Sequence, residues 1–238
     1  MRLRKKWWAK PELEKDHKVL FTPTEYKGKW KEFFGNDHPI HLELGCGRGR
    51  FINQLATMNT NINYIALDAH NELLVHVLRK ANEAHLTNIK IIPINIENIG
   101  GIFAQDEIEK IYINFCNPWP NKRHHKRRLT HPNFLRLYQT FAKQGSEIWF
   151  KTDDQLLFTD SLGYFEGAGF NELYRTYDLY QSDFHGNIVT EYEERFCKQG
   201  IKIKFGRFKI NTYNILGDAE EIVLLRGGCE EGLKRNLI

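Results

Sequence analysis

The 238-residue sequence has few cysteines and no long apolar run. Its four cysteines, Cys46, Cys116, Cys197 and Cys229, are scattered, with no C-x-x-C pair and no tight Cys/His spacing. That pattern argues against a disulfide framework or a structural metal site, and it favours a reducing, cytoplasmic compartment. No stretch approaches the roughly 18 apolar residues of a membrane span, and the basic N-terminus is followed by no apolar segment of a secretory signal. We therefore expect a cytoplasmic protein with no membrane segment and no bound metal.

The composition is that of one globular domain with additions at both ends. Hydrophobic residues make up 41% of the chain and charged residues 27%, which is enough for a core and ordinary for a protein in water. The net charge of +4 says little about partners, whereas the placement of charge says more. Five Lys or Arg flank a Trp pair in MRLRKKWWAK at the start. We predict a basic arm over 1–36, a main domain over 37–205 and a tail of open role over 206–238.

Short apolar runs alternate with amphipathic stretches from Pro39 onward. The runs are IHLEL (40–44), INYIAL (62–67), IKIIPI (89–94), KIYINF (110–115) and EIWFK (147–151). Between them lie helical patterns, and FNELYRTYDLY and IKIKFGRFKI suggest a closing pair of strands. Apolar strands separated by helices of 3.6-residue period indicate βαβ units. The fold class predicted is α/β, a doubly wound Rossmann-like sheet with ligands at the carboxyl ends of its strands.

The first predicted strand leads directly into ELGCGRG, which contains Glu43, Gly45, Gly47 and Gly49. Glycines at alternate positions let the backbone turn sharply and approach a ligand closely. The dinucleotide pattern G-x-G-x-x-G would need its last glycine at position 50, which is Arg50. A carboxylate ahead of the glycines would repel a pyrophosphate, but it suits a ligand with a cationic end. The methionine ammonium of S-adenosylmethionine is such an end.

Two further polar residues follow the next strands. Asp68 ends the second strand, the usual place for an acid that accepts hydrogen bonds from a ribose diol. Asn95 follows the third strand and is placed to meet an adenine edge. An ordinary strand-to-helix turn would explain the glycines alone. The combination with Glu43 and Asp68 favours cofactor binding.

The fourth strand is followed by Asn117-Pro118-Trp119-Pro120 and then by a dense basic run. Trp119 offers a stacking face, and the amide of Asn117 can both donate and accept hydrogen bonds. Residues 122–128 carry five Lys or Arg, among them Arg123, Arg127 and Arg128, next to the predicted cleft. Such a run usually forms a charged turn that faces solvent. The position of this run beside the predicted cleft favours phosphate binding instead.

Four motifs together resemble the bacterial tRNA (guanine-N7-)-methyltransferase family: ELGCGRG, INFCNPWPNKRHHKRRLTHPNF, WFKTDD and NIVTEYEERF. The resemblance implies a class I methyltransferase with seven strands, mostly parallel, the last antiparallel. It implies S-adenosyl-L-methionine as methyl donor and tRNA as partner. The implied product is N7-methylguanine at nucleotide 46 of the variable loop. The sequence leaves monomer and homodimer open.

The resemblance also implies roles for individual residues. The cofactor-contacting positions are Glu43, Asp68, Asn95 and Asn117. The substrate-contacting positions are Asn121, Asp153, Thr190, Glu191, Tyr192 and Glu193. Four positions depart from the pattern expected of the family, which has Glu at 68, Asp at 95 and 117, and Lys at 121.

Guanine N7 has an in-plane lone pair and no proton, so its methylation requires no general base. We expect catalysis to come from alignment of the reacting atoms and from a carboxylate that stabilises the charge developing on the guanine. Asp153, after the fifth strand, is the first candidate and Glu193 the second, whereas Asn117 would orient rather than take a proton. Asp154 is the more natural helix cap, and Tyr192 is a candidate for stacking on the base.

Two alternative functions stay open at this point. An amino methyltransferase acting on adenine N6 or a glutamine amide typically has an N-P-P-aromatic loop, and this chain has Asn-Pro-Trp-Pro instead. A tRNA-binding module without activity would explain the asparagines at 95, 117 and 121. Glu43, the three glycines and Asp68 argue against it.

Overall fold

The structure is a computed structural model that describes residues 4–210. Residues 1–3 and 211–238 lie outside the described residues, and with them most of the predicted tail 206–238. No helix in the described range is both long and apolar enough to cross a membrane.

After two short helices, helices and strands alternate along the described chain. The helices are α1 (Ala9–Leu13), α2 (Trp30–Phe34), α3 (Arg50–Met58), α4 (Asn71–Glu83), α5 (Pro132–Gln139), α6 (Gln155–Gly167) and α7 (Glu191–Cys197). The strands are β1 (Ile40–Leu44), β2 (Asn63–Asp68), β3 (Ile89–Pro93), β4 (Ile108–Asn114), β5 (Ala142–Thr152), β6 (Phe170–Thr176) and β7 (Lys204–Ile210). Short 3-10 turns occupy Pro23–Tyr26, Ile96–Gly101, Lys122–Arg127 and Leu179–Gln181.

The strands form one sheet in the order β3-β2-β1-β4-β5-β7-β6. Neighbours among β1 to β5 pair parallel, whereas β7 runs antiparallel to both β5 and β6. The predicted doubly wound α/β class with a final antiparallel strand is confirmed. The order reverses beside β1, so the carboxyl ends of β1 and β4 flank the crevice where such sheets bind ligands.

The sheet is buried on both faces, which explains why its strands are continuous apolar runs. Side chains alternate between faces along each strand. In β2, Ile65 and Leu67 pack in the cluster with α5 and α6, whereas Tyr64 and Ala66 pack with α1, α3 and α4. Helices on both faces therefore leave the strand ends as the accessible places on the sheet.

The segment before β1 contributes to this core. Ala9 and Leu13 of α1 are fully buried in the cluster that includes α4. Trp30 of α2 is also fully buried, and its indole N–H donates to the carbonyl of Ile102 at 3.0 Å. Residues 4–36 therefore pack on the main domain at several points.

The same segment covers the outer edge of the sheet. The backbone N–H of Leu20 donates to Ile91 at 2.9 Å, and the N–H of Ile91 donates to Lys18 at 2.8 Å. Val19 is thereby bridged in parallel to Ile91 of β3. An exposed edge strand is a template for pairing with other chains, and this contact occupies part of it.

Candidate active site

The glycine turn after β1 has a backbone that residues with a side chain rarely adopt. Gly45, Gly47 and Gly49 have φ angles of 72°, 55° and 72°, in the left-handed region that favours glycine. A Cβ on Gly49 would lie 2.7 Å from the side chain of Val77, whereas a Cβ on Gly45 or Gly47 would meet no atom within 4 Å. Gly49 therefore packs the turn on α4, and the other two glycines leave open space above their backbone.

Asp68, at the end of β2, is tied to this turn. Its Oδ2 accepts a hydrogen bond from the backbone N–H of Gly47 at 3.1 Å. Its Oδ1 accepts from the backbone N–H of His70 and lies 2.9 Å from Nδ1 of the same ring. A carboxylate offers about four acceptor positions, so capacity is left for one further donor such as a ribose hydroxyl.

Glu43 is the most unusual acid of the site. Glu43 is only 2% exposed, and its Oε1 accepts a hydrogen bond from the Asn114 amide at 2.9 Å. Among the described residues no donor reaches Oε2, which is also buried. Burial raises the pKa of Glu43 to about 8, while the Asn114 hydrogen bond acts in the opposite direction. The charge of Lys151 also favours the ionised form of Glu43, but no donor of the described residues satisfies Oε2. Burial of such an oxygen is costly, and it fits a ligand ammonium.

A cleft of about 410 Å³ follows the carboxyl ends of β2, β3 and β4. Its lining residues are Ala69, His70, Asn95, Ile96, Glu97, Trp119, Arg127, Leu129 and Phe134. Asn95 begins the following 3-10 turn through its Oδ1, which accepts from the N–H of Glu97 at 3.2 Å. The cleft thus joins the predicted adenosine side of the cofactor site to the predicted RNA-binding loop.

The loop after β4 holds its tryptophan in a strained conformation. Trp119 has a φ of 43°, which is uncommon for a residue with a bulky side chain. Its N–H donates to Oδ1 of the exposed Asn117 at 3.2 Å. The Arg127 guanidinium lies 5.1 Å from the centre of the indole, and the His124 ring lies 5.7 Å away. The basic run is therefore folded back onto the tryptophan.

Arg128 differs from the other cations of the run, because its burial disfavours the predicted contact with phosphate. The residue is 1% exposed. Its Nε donates to the carbonyl of Pro118 at 2.7 Å, and its Nη1 donates to Asp160 of α6 at 2.6 Å. A guanidinium enclosed by internal acceptors is not accessible to a phosphate.

The remaining cations and Asn121 face solvent. Lys122, Arg123, Lys126 and Arg127 are exposed. Asn121 is exposed as well, and its Oδ1 accepts from the N–H of Arg123 at 3.2 Å to begin the 3-10 turn. These side chains are free to meet RNA, and their substrate contacts stay a prediction.

The two acids after β5 have different positions, as expected. Asp154 begins α6, because its Oδ1 accepts from the N–H of Leu157 at 2.7 Å, which confirms it as the helix cap. Asp153 is half-buried, and burial raises the pKa of its carboxyl. The carbonyl of Asp153 accepts from Lys204 at 2.8 Å. Its carboxylate has no partner side chain among residues 4–210, so it is available for a ligand.

The segment 190–193 forms the start of α7. Thr190 caps the helix and forms a capping box with Glu193, in which each side chain accepts from the other's backbone N–H. Both residues are buried, and Glu193 completely so. In the structure Thr190 and Glu193 stabilise the start of α7. Their contact with substrate stays a prediction. Tyr192 is 53% exposed and is better placed to stack on a base.

Lys151, the penultimate residue of β5, is a site residue to which the sequence analysis gave no role. Its ammonium donates to Glu193 at 2.6 Å and to Asn187 and the carbonyl of Ile188 at 2.9 Å. Burial lowers the pKa of Lys151, although Glu193 favours its charged form. A lone lysine near the end of an apolar strand was the available clue.

Further ion pairs fasten α7 to the glycine turn. Lys80 of α4 donates to Glu191 at 2.7 Å and to the carbonyl of Arg48 at 2.9 Å. Arg50 pairs with Glu194 at 2.6 Å. These contacts bring α7 over the carboxyl end of β1, where Glu43 lies. Among residues 4–210 no three His, Cys, Asp or Glu side chains are close enough together to hold a metal ion.

The fold and this crevice define a class I S-adenosylmethionine-dependent methyltransferase. Solved structures of that kind share the fold at low identity. One is the 16S rRNA methyltransferase KamB, with a TM-score of 0.59, 12% identity, and coverage of 77% of this chain and 93% of that one. Another is a variant of the 16S rRNA (adenine(1408)-N(1))-methyltransferase of Catenulisporales acidiphilia, with a TM-score of 0.57, 13% identity, and coverage of 82% and 94%.

Sequence comparisons give the family. A family model described as "Putative methyltransferase" matches residues 37–205. The tRNA (guanine-N(7)-)-methyltransferase of Desulfitobacterium hafniense strain DCB-2 is 63% identical over 211 residues, which cover 89% of this chain and 99% of the relative. That of Clostridium tetani is 58% identical over 205 residues, with coverage of 86% and 97%. The chain belongs to the tRNA (guanine-N(7)-)-methyltransferase family.

Proposed function

We propose that this protein transfers a methyl group from S-adenosyl-L-methionine to N7 of a guanosine in tRNA, at nucleotide 46 of the variable loop. The observation that carries the proposal is one shared cavity. Trp119 and Arg127 of the basic loop line the same cleft as His70 and Asn95. A cofactor bound there would lie directly beside the surface that meets RNA.

The residues around the glycine turn fit the cofactor group by group. The free oxygen of Glu43 would accept from the methionine ammonium, and the ammonium would offset the cost of burying that carboxylate. The open backbone above Gly45 and Gly47 leaves room for the methionine part. Asp68 has an acceptor position for the ribose, and Asn95 lines the cleft where the adenine would lie.

S-adenosylmethionine supplies an electrophilic methyl group, and guanine N7 receives it without losing a proton. The protein therefore has to hold the base in line and stabilise the positive charge that develops on it. Asp153 has a half-buried carboxylate without a partner side chain in the described range, which suits acceptance from the guanine N1–H and amine. Asn117, exposed at the start of the loop, would orient the base edge.

The RNA contact relies on the exposed cations of the basic loop. Lys122, Arg123, Lys126 and Arg127 are available for phosphates, whereas Arg128 is not. Each phosphate contact releases counterions, so tRNA binding should weaken steeply as salt rises. The exposed Trp7 in the basic N-terminal segment offers a second stacking surface. The cytoplasmic location and the choice between monomer and homodimer stay predictions.

The family of the sequence relatives and the loop Asn-Pro-Trp-Pro favour guanine N7 over an exocyclic amine. A module that binds tRNA without catalysis is disfavoured by the partnerless oxygen of Glu43, because such a protein has no use for a costly buried carboxyl.

The deciding experiment incubates the protein with labelled S-adenosylmethionine and two tRNA transcripts that differ only in G or A at nucleotide 46. Digestion to nucleosides should give labelled N7-methylguanine from the first transcript and no label from the second. Labelled N6-methyladenine would establish the amino-methyltransferase alternative. Absence of label together with tight tRNA binding would establish the binding module.

A further inference from the structure

Arg128 is the most enclosed cation of the basic loop, and its contacts converge on one short stretch of backbone. Its Nε donates to the carbonyl of Pro118 at 2.7 Å, and Nη2 lies 3.5 Å from the carbonyl of Trp119. Nη2 also lies 2.9 Å from Nε2 of His125. The planar guanidinium therefore contacts the backbone carbonyl that precedes Trp119 and the carbonyl of Trp119 itself.

The other side of the guanidinium is anchored in the main domain. Nη1 donates to Asp160 of α6 at 2.6 Å. The adjacent residue of α6, Ser161, is hydrogen-bonded to Thr130 at 2.6 Å, which fastens the end of the same loop. The loop is thus held against a rigid helix by contacts two residues apart in the chain.

The conformation of Trp119 shows why such support is needed. A left-handed backbone at a residue with a side chain is strained, and it persists only where the surroundings hold it. The Asn117 side chain is exposed and makes one contact to the strained residue, at 3.2 Å. Arg128 supplies two further contacts, to the carbonyls of Pro118 and Trp119. Without it, the backbone would relax and the indole would leave the wall of the cleft.

We propose that Arg128 is a positioning residue for the cofactor, acting through Trp119 and not through RNA. This inference rests on the proposed function, which identifies the ligand as S-adenosylmethionine. Its neighbour Arg127 differs, because it is exposed, lies 5.1 Å from the centre of the same indole and lines the cleft. Adjacent arginines in one basic run would then serve different partners.

The test compares Arg128→Lys with Arg136→Lys, since each keeps the positive charge and removes the planar guanidinium. Calorimetric titration with S-adenosylmethionine should show about tenfold weaker binding for Arg128→Lys, the effect of losing a well-formed charged hydrogen bond. Its tRNA affinity should stay within about twofold of the parent, because Arg128 is 1% exposed and makes no contact with phosphate in this proposal. Arg136→Lys, at an exposed arginine of α5 that does not line the cleft, should bind the cofactor like the parent.

A second measurement asks whether the effect passes through Trp119. In a Trp119→Leu background, Arg128→Lys should change cofactor affinity by less than about twofold, because coupled residues are non-additive. Acrylamide should also quench the Trp119 fluorescence, taken as the difference between parent and Trp119→Leu, more strongly in Arg128→Lys. The inference would be overturned if the two substitutions weakened cofactor binding independently, so that their fold-changes multiplied in the double variant. Unchanged cofactor affinity in Arg128→Lys would overturn it as well.

If Arg128→Lys does not fold, Asp160→Asn replaces it, because it loosens the outer anchor only and should shift cofactor affinity in the same direction. Unchanged affinity in that variant would also overturn the inference. A parent protein that binds no cofactor would instead refute the proposed function.

Discussion

Glu43→Gln should remove a pH dependence of stability that the buried carboxyl imposes on the protein. Burial raises the pKa of Glu43 from 4.5 to about 8. In the folded state the carboxyl therefore holds its proton over a pH range in which the unfolded chain has lost it. The stability that this protonated group contributes is fully present below about pH 4.5, and it is lost as pH rises through the folded pKa.

The magnitude follows from the difference in bound protons. One proton bound in the folded state and none in the unfolded state give a loss of about 1.4 kcal/mol per pH unit. Between pH 4.5 and pH 8 this amounts to about 5 kcal/mol, a large part of the stability of an ordinary domain. The amide introduced by Glu43→Gln would keep the hydrogen bond with Asn114 and carry no titrating group.

The assay is urea unfolding of both proteins between about pH 5 and pH 8, with the difference in free energy of unfolding plotted against pH. All other titrating groups are shared, so the difference isolates Glu43. Glu83→Gln, a change at an exposed acid of α4, is the matched control and should run parallel to the parent. Parallel curves for Glu43→Gln would refute the reasoning.

The same carboxyl couples cofactor binding to protons. An ammonium beside Glu43 favours its ionised form, so binding at pH 7 should release up to about one proton. Titration calorimetry in buffers of different ionisation enthalpy measures this directly. Glu43→Gln should release none and bind more weakly. Equal proton release by both proteins would show that the ammonium does not meet Glu43.

Three further changes test the site. Asp153→Asn should lower turnover more than tenfold with cofactor affinity nearly intact, whereas Asp154→Asn should keep both its helix cap and normal turnover; near-normal turnover in Asp153→Asn would remove it from the mechanism. Lys151→Met should cost about 3–5 kcal/mol in urea unfolding by stranding Glu193, and adding Glu193→Gln should recover part of the loss, so strictly additive losses would contradict a coupled pair. Trp7→Ala should weaken tRNA binding by about fivefold or more in filter assays without affecting cofactor binding, and unchanged affinity would exclude it from the RNA surface.

Most of the fold could be predicted because its determinants are local. The run 40–44 coincides with β1, and one of the helical patterns between the apolar runs forms α3 directly after the glycine turn. The residue type and position of Asp154 predict a helix cap, and it caps α6. Strand period, helix period and capping all depend on neighbours a few residues away. The glycine turn belongs to the same class, because its backbone and its strand are consecutive.

The parts that could not be predicted depend on contacts distant in sequence. Arg127 and Arg128 are identical in type and adjacent, yet only the second is buried by Asp160 of α6. Lys151 and Glu193 meet across 42 positions. No periodicity of either segment indicates such a pairing, since it arises only when α7 packs over the sheet.

The backbone bonds that residues 18–20 make to β3 have a consequence for shortened forms of this protein. A chain starting at residue 37 would lose Trp7, but it would keep the whole of the matched family region and the candidate residues within it. It would also present the free flank of a five-residue strand to the solvent. The edge strands of two such chains would then be free to pair with each other. The segment before β1 therefore protects the protein against edge-to-edge self-association.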